Sequence, residues 1–270
     1  MGTAGSVKLL EDKLQKTFIV ASGDSILSSD LAMVLKAHRA SNAAVTMALW
    51  EVDNPTEYGI VGLSETEGGV VNGKLSEGYI TKFLEKPSPT EAFSNVINAG
   101  LYVIEPEVIS HIPRGEKFDF SKQLFPQLLE LGWPMYAQTI DGVWFDVGQP
   151  FELINAQASL MSRYGELPFT YPSNFEENNG VLMADSAVCE GTVDRAVIGP
   201  ECVVDAGASV SDALLMEGCQ IGAGARVIHS VLGVGVIVPS GCDVRHCVVG
   251  DGAVLRSGEH YDAEKIEHSP

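Results

Sequence analysis

Along the last third of this 270-residue chain, aliphatic side chains recur with a fixed stagger. They fall at Ile198, Val204, Val210, Leu215, Ile221, Val227, Leu232, Val238, Val244, Val249 and Leu255. The steps between them run 6, 6, 5, 6, 6, 5, 6, 6, 5 and 6, a period of seventeen. The position two before each aliphatic, from Val204 on, is restricted too: Cys202, Ala208, Ala213, Cys219, Ala225, Ser230, Val236, Cys242, Cys247 and Ala253. A triangular coil accounts for both patterns, because a bulky side chain must fill each side while a small one sits at the tight inner corner. Hexapeptide repeats of this kind predict a left-handed parallel β-helix over residues 182–257. An ordinary β-sandwich has no reason to hold a period of seventeen.

Before residue 162 the pattern changes to alternating strands and helices. The apolar run 17–21 ends in Ser22-Gly23-Asp24, and Ser28, Ser29 and Asp30 offer N-caps for a helix. Leu31, Val34, Leu35 and His38 then fall on one helical face, and a strand follows at 45–52. Strand, helix, strand is the βαβ unit of a parallel sheet, so a Rossmann-like α/β domain is expected. Further strands are predicted at 58–63 and 79–84, with Asn72-Gly73 between them as a hairpin-type turn signal. A strand at 100–104, a helix at 120–131 stopped by Gly132, and strands at 135–140 and 143–147 come next. Pro150 opens a last helix, to about Met161. Residues 162–181, with Pro168, Pro172 and a polar run, read as a linker. Residues 258–270 read as a tail, charged and frayed from His260 on.

Composition narrows the function classes. A net charge of −19 argues against nucleic acid and anionic membrane as partners, since both need a basic face. It also means that an anionic substrate must be held by local cations, backbone N–H groups or metal ions. Met1 is followed by Gly-Thr-Ala-Gly rather than by a signal peptide, and no stretch approaches the about 18 apolar residues of a membrane span, so a cytoplasmic chain is expected. Of the five cysteines, four occupy the small positions of the ladder, which favours buried hydrophobes over a metal or disulfide framework.

Ligands of open α/β sheets bind at the carboxyl ends of parallel strands. Asp24 and Asp146 both follow apolar strands, and two carboxylates suit Mg²⁺, which takes one or two carboxylates plus substrate phosphates. Gly23 and Gly148 beside them allow close approach of a ligand, although a Gly-Asp pair is more often the mark of a plain turn.

Seven short motifs, in order, carry a resemblance: Gly2-Thr3-Ala4-Gly5, Gly23-Asp24, Glu57-Tyr58-Gly59-Ile60-Val61, Phe83-Leu84-Glu85-Lys86-Pro87, Asn98-Ala99-Gly100-Leu101-Tyr102, Phe118-Asp119-Phe120 with Phe125-Pro126, and Trp144-Phe145-Asp146-Val147-Gly148 with Pro150. Together with the coil they resemble the sugar-phosphate nucleotidyltransferases, most closely the mannose-1-phosphate guanylyltransferase and glucose-1-phosphate nucleotidyltransferase group. The resemblance implies transfer of a nucleotidyl group from a nucleoside triphosphate to a hexose 1-phosphate. Asp24 and Asp146 would hold Mg²⁺, Lys86 would contact the sugar phosphate, and Glu85 would accept hydrogen bonds from sugar hydroxyls. Gly59, Asn98 and Gly100 would line the sugar pocket, with the Gly2-Thr3 backbone facing the base. The sequence leaves the base and the sugar open.

The family opens with a G-x-G-T-R loop that cradles the triphosphate, and these 270 residues contain no such loop. The chain reads as a domain lacking its first βαβ unit, with the 17–21 strand short of a neighbour. The expectation is that this chain alone makes no NDP-sugar, and that the missing start is truncated, lost or supplied by another chain. Two other readings stand beside this one. The chain could be a non-catalytic regulatory subunit, although Asp24, Lys86 and Asp146 are all retained. It could also be a hexapeptide-repeat acyltransferase, with His229 and His246, one coil apart, stacked on one edge. The flat faces and end coils of such a solenoid point to a homo-oligomer.

Overall fold

A computed structural model describes residues 1–167 and 169–267. Pro168 of the expected linker and residues 268–270 of the expected tail lie outside the described residues. The chain divides into two compact units, the first formed by Met1–Ser25 and Ser29–Trp144, the second by Ile26–Ser28 and the chain from Phe145 on.

The strands up to residue 146 are β1 (Phe18–Ala21), β2 (Ser25–Leu27), β3 (Val45–Glu51), β4 (Gly59–Ser64), β5 (Glu77–Glu85), β6 (Val96–Ile104), β7 (Met135–Thr139) and β8 (Trp144–Asp146). Six of them form one mixed sheet in the order β1-β6-β3-β7-β5-β4. β3 and β6 are apolar and buried along most of their length, which places them centrally. β1 alternates half-buried and exposed residues and takes the edge, with Ile19 41% exposed.

The expected parallel βαβ pair is corrected here. β1 and β3 run in the same direction, but β6 lies between them and pairs antiparallel with both. Nine residues of β6 can bury two faces, whereas the four of β1 can cover only one. The β3–β7 pair is parallel. The β4–β5 pair is an antiparallel hairpin as expected, but residues 65–76 connect the strands rather than a tight Asn72-Gly73 turn. Asn72 N–H instead bonds Leu63 O at 2.7 Å, and Gly73 passes so close to Phe93 O that a Cβ would lie 2.5 Å from it.

Helix α1 spans Thr3–Lys8 and α2 spans Leu31–Ser41. Asp30 caps α2 as expected, accepting from Ala32 N–H at 2.9 Å. Val34 and His38 face the core, while Leu31, expected on that face, is 38% exposed in the first turn. His38 is fully paired, to Thr46 Oγ1 at 2.8 Å and Glu105 Oε1 at 2.9 Å. The 120–131 helix begins as a wide π-turn, Phe120–Leu124, and continues as α3, Phe125–Glu130. Phe120, Leu124, Phe125 and Leu128 pack with Met47, Leu49 and Ile104 to form the core of this unit.

In the second unit, α4 spans Pro150–Ser162 with proline in its first turn as expected. The polar run expected as linker contains a β-hairpin: Phe175–Asn178 pairs antiparallel with Val181–Ala184. Asn179 and Gly180 both turn left-handed, at φ 51° and 81°. An Asn-Gly pair is the residue choice that a two-residue primed turn demands. The coil then rises in steps of seventeen, seen in the register Val197, Leu214, Val231, Val248, Lys265. Every aliphatic of the ladder and every small residue two before it is buried.

The frayed tail is corrected as well. His260–Asp262 and Lys265–Ile266 add a further layer to the coil. Tyr261 and Ile266 stand seventeen after Val244 and Val249 and fill the same interior columns, so the polar residues around them simply face out. At one corner of the coil the left-handed residues are not glycine: Arg195, Asp212, His229, His246 and Ala263. Arg195 pairs with Asp212 at 2.7 Å, and the rings of His229 and His246 lie 5.5 Å apart. Phe151 of α4 stacks on His229 at 5.5 Å and 10°, and His246 bonds Asp262 at 3.0 Å. The histidine stack is therefore occupied by packing, which gives the acyltransferase reading no support.

Candidate active site

Most of the expected site residues belong to the first unit, where they form two adjoining groups. The first surrounds a cavity of about 650 Å³ along β1, lined by Thr3, Val20, Ser22, Asp24, Tyr102 and Asp119 among others. β1 delivers Asp24 at its C-terminal end, through the Ser22-Gly23 turn. That turn is held by β6: Ser22 N–H donates to Gly100 O at 2.9 Å. Gly100 has φ +75°, and a Cβ there would lie 2.9 Å from Ser22 Oγ. Glycine at this position therefore lets the Asp24 turn rest on β6. Asp24 is exposed and makes no hydrogen bond or ion pair among the described residues.

Asp119, in contrast, is fully engaged. Its Oδ1 accepts from the N–H groups of Ser121 and Lys122 at 3.0 and 3.1 Å, and its Oδ2 from the Thr3 hydroxyl at 2.8 Å. Thr3 Oγ1 in turn accepts from Phe120 N–H at 3.1 Å. Only the backbone of Thr3 is thus left for a ligand. Gly2 (φ +76°) lies against Phe118, whose carbonyl oxygen would sit 2.5 Å from a Cβ, so packing alone already demands glycine there. Asn98 is also mostly spent. Its amide donates to Tyr102 Oη at 2.8 Å and Ser121 Oγ at 3.1 Å, and its Oδ1 accepts from Gly100 N–H at 2.9 Å. Burial pushes the Tyr102 phenol up from its ordinary value, against the lowering pull of Asn98 and Ser121, and keeps it a neutral partner.

The second group is built on β4 and β5. Gly59 pairs in register with Glu85, and a Cβ on Gly59 would lie 2.7 Å from Glu85 Oε2. The missing side chain lets the carboxylate lie across the strand. Lys86 follows with φ +46°, its N–H bonded to Tyr58 O at 2.9 Å. A left-handed lysine costs about 1 kcal/mol relative to its ordinary backbone, a conformation worth examining for function. β4 touches β6 at Ile60–Ile97, and one residue further along each strand come Gly59 and Asn98. Tyr58 packs edge-on against Trp144 at 6.0 Å, and Trp144 Nε1 donates to Ala99 O at 2.9 Å.

Asp146 ends β8 in the second unit, exposed, with Gly148 close enough that a Cβ would lie 3.4 Å from Asp146 Oδ1. Asp119, Tyr102, Ser121 and Trp144 were not singled out by sequence reasoning. Asp119, Tyr102 and Trp144 lie within motifs that the resemblance rests on and Ser121 directly follows one, which was the available signal.

Asp24 and Asp119 line the first cavity and no lysine or arginine is among its lining residues, so a bound cation would offset the repulsion an anionic phosphate meets there. Asp24 offers hard carboxylate oxygens free of any protein partner, a donor that fits Mg²⁺. Among the described residues, no cluster of three or more His, Cys, Asp or Glu could hold a metal ion by itself. No helix among the described residues is long and apolar enough to cross a membrane.

Comparison with known proteins finds two family matches along the chain. The family described as "Nucleotidyl transferase" matches residues 1–163, and the family described as "GlmU-like, C-terminal hexapeptide" matches residues 173–251. The chain is 31% identical over 244 residues to a UTP–glucose-1-phosphate uridylyltransferase of Synechocystis sp., covering 80% of this chain and 60% of the relative. It is 31% identical over 226 residues to a mannose-1-phosphate guanylyltransferase of Mycobacterium tuberculosis, covering 80% and 58%. It is 34% identical over 158 residues to a mannose-1-phosphate guanyltransferase of Saccharomyces cerevisiae, covering 57% and 40%. The chain thus spans 60% or less of the length of these relatives.

Proposed function

From the premise that the chain belongs to the nucleotidyl transferase family, whose match spans residues 1–163, we propose that it serves the transfer of a nucleotidyl group from a nucleoside triphosphate to a hexose 1-phosphate. An oxygen of the sugar phosphate attacks the α-phosphorus in line. The bond from that phosphorus to the β-phosphate oxygen breaks, pyrophosphate leaves and an NDP-hexose forms. Such a reaction asks for alignment and charge neutralisation rather than a protein nucleophile. The relatives named above differ in base and in sugar, and a hexose 1-phosphate is the substrate class their names share.

The observation that carries the reading is the cation-poor cavity with its unpartnered Asp24. Asp24 would hold Mg²⁺, which supplies positive charge to the phosphates when bound. Asp146 would be a second carboxylate ligand, on the strength of its Trp144–Gly148 motif. Lys86 would hold the sugar phosphate as a compact point charge, and Glu85 would accept from sugar hydroxyls. Gly59 keeps Glu85 in place, while Asn98 acts through Gly100 by fixing the turn that carries Asp24. The Gly2-Thr3 backbone would border the base.

Calorimetric titration with GDP-mannose, UDP-glucose and the two hexose 1-phosphates, with and without Mg²⁺, tests this. Binding of at least one pair is expected, with Asp24→Asn weakening the Mg²⁺-dependent part about tenfold or more. No binding of any of the four compounds, or binding indifferent to Asp24→Asn, would refute the reading. The regulatory-subunit reading shares the binding, and the retention of Asp24, Lys86 and Asp146 argues against decay of the site.

A further inference from the structure

A second cavity of the first unit, of about 710 Å³, opens beside α2 and shares no lining residue with the one around Asp24. Its floor is made by β5 and β7 in register: Tyr79 pairs with Tyr136, and Glu77 with Gln138. Residues paired across strands, and residues two apart along one strand, point to the same face of a sheet, so these four side chains form one patch. The two tyrosine rings are half-buried, with centroids 5.3 Å apart and planes at 90°, and make an aromatic corner. α2 supplies one wall, where Ala37 and Ala40 are too small to cover the rings. Lys36 and Glu65 stand exposed at the rim.

We propose that this cavity binds a neutral saccharide, one or two pyranose rings at a time. A pyranose has apolar faces made of C–H groups and a rim of hydroxyls. Its C–H groups carry slight positive charge and are drawn to the negative face of an aromatic ring. The corner of Tyr79 and Tyr136 offers such a face, while the hydroxyl rim meets the polar side chains around it. The volume falls within the roughly 300–1,000 Å³ of small-molecule sites.

The polar groups left free select a ligand without charge. The Tyr79 hydroxyl, the Lys36 ammonium and the Glu65 carboxylate make no hydrogen bond or ion pair among the described residues. Gln138 Nε2 donates to Thr139 O at 3.2 Å, which leaves its Oε1 as a free acceptor. Tyr136 is engaged: burial first, then the charge of Glu77, push its phenol up from the ordinary value, and it stays a neutral donor to Glu77. With Glu77 thus occupied, the free charges are one of each sign, so neither an anion nor a cation gains a net attraction. A hydroxyl both donates and accepts, so one polyol can use Lys36 and Tyr79 as donors and Gln138 and Glu65 as acceptors. Several of these groups are exposed, and each hydrogen bond competes with water, so affinity in the millimolar range is expected.

Saturation-transfer NMR titration of the full chain with glucose, mannose, maltose and mannobiose, with circular dichroism to confirm folding, tests the proposal. At least one of the four sugars should bind. Tyr79→Ala should lower its affinity about tenfold, whereas Tyr79→Phe, which keeps the ring, should lower it only about two- to threefold. Glu65→Ala at the exposed rim should also weaken binding about two- to threefold, and it decides the matter if Tyr79→Ala does not fold. Asp24→Asn should leave sugar binding unchanged, and Tyr79→Ala should leave the Mg²⁺-dependent binding of hexose 1-phosphate unchanged, which separates this cavity from the one around Asp24. A disaccharide that binds tighter than its monosaccharide identifies a glycan chain as the occupant, and equal binding identifies a free hexose. The proposal is overturned if none of the four sugars binds, or if binding is indifferent to Tyr79→Ala or, where that variant is unfolded, to Glu65→Ala. It is equally overturned if Tyr79→Phe binds as weakly as Tyr79→Ala, if Asp24→Asn abolishes sugar binding, or if glucosamine or glucuronate binds tighter than glucose.

Discussion

Replacing Gly59 by alanine separates the placement of the Glu85 carboxylate from the stability of the strand that carries it. The two residues pair in register on β4 and β5, and the added Cβ would lie 2.7 Å from Glu85 Oε2 and 3.8 Å from its Cδ. The obstructing atom is the free end of a flexible side chain, so the carboxylate swings aside and the backbone stays. Alanine in a strand gains about 0.5–1 kcal/mol over glycine through lower chain entropy. Moving Glu85 off its preferred rotamer costs about 0.5–1.5 kcal/mol. The two nearly cancel, so the urea midpoint should barely move. A hydrogen bond to a charged carboxylate contributes about 1.5–3 kcal/mol, and losing one sugar contact should lower hexose 1-phosphate affinity about ten- to a hundredfold. Calorimetric titration alongside urea unfolding reads both quantities. If Gly59→Ala binds like the parent while Glu85→Gln binds weakly, the position of the carboxylate is not what the glycine protects. A loss of more than about 2 kcal/mol of stability would show instead that the strand cannot accept a side chain.

Two further outcomes are expected. Lys86→Gly relieves a left-handed lysine and should raise stability by up to about 1 kcal/mol while hexose 1-phosphate affinity falls about tenfold; unchanged affinity would remove Lys86 from the phosphate. Burial opposes ionisation of Glu105, but the hydrogen bonds from His38 and Thr17 outweigh it and hold the carboxyl below the usual glutamate value. The ionised form is therefore favoured in the folded chain: its contribution is full above the ordinary value near 4.5 and is lost as pH falls through the depressed one. Urea midpoints should drop more steeply on acidification in the parent than in Glu105→Gln, and parallel curves would refute this.

Much of the second unit was legible because its interior is periodic. Each inward position meets the same volume once per seventeen residues, so Val204 and Val238 face equivalent surroundings and carry equivalent side chains. The same rule reaches Tyr261 and Ile266, although the charged residues around them suggested a frayed end. The Asn179-Gly180 turn was written in the sequence as well, within a run dominated by polar residues. In the first unit the motifs pointed to Asp24, Glu85 and Lys86 but not to their supports. Thr3 and Asn98 carry the chemistry of ligands on paper. Their hydrogen-bonding groups are largely taken up by Asp119, Phe120, Tyr102 and Ser121, which are distant in sequence from Thr3 and partly so from Asn98.

The sequence by itself determined the coil, its seventeen-residue rise and its buried cysteines, because those depend on contacts that repeat at a fixed separation along the chain. Only the tertiary structure decided that β6 separates β1 from β3, that α4 covers one face of the coil and stacks Phe151 on His229, and that Asp24 is left unpartnered beside an Asp119 that is not. Those outcomes depend on which of several apolar strands and polar groups compete best for one neighbour across scores of residues, a comparison that no local pattern contains.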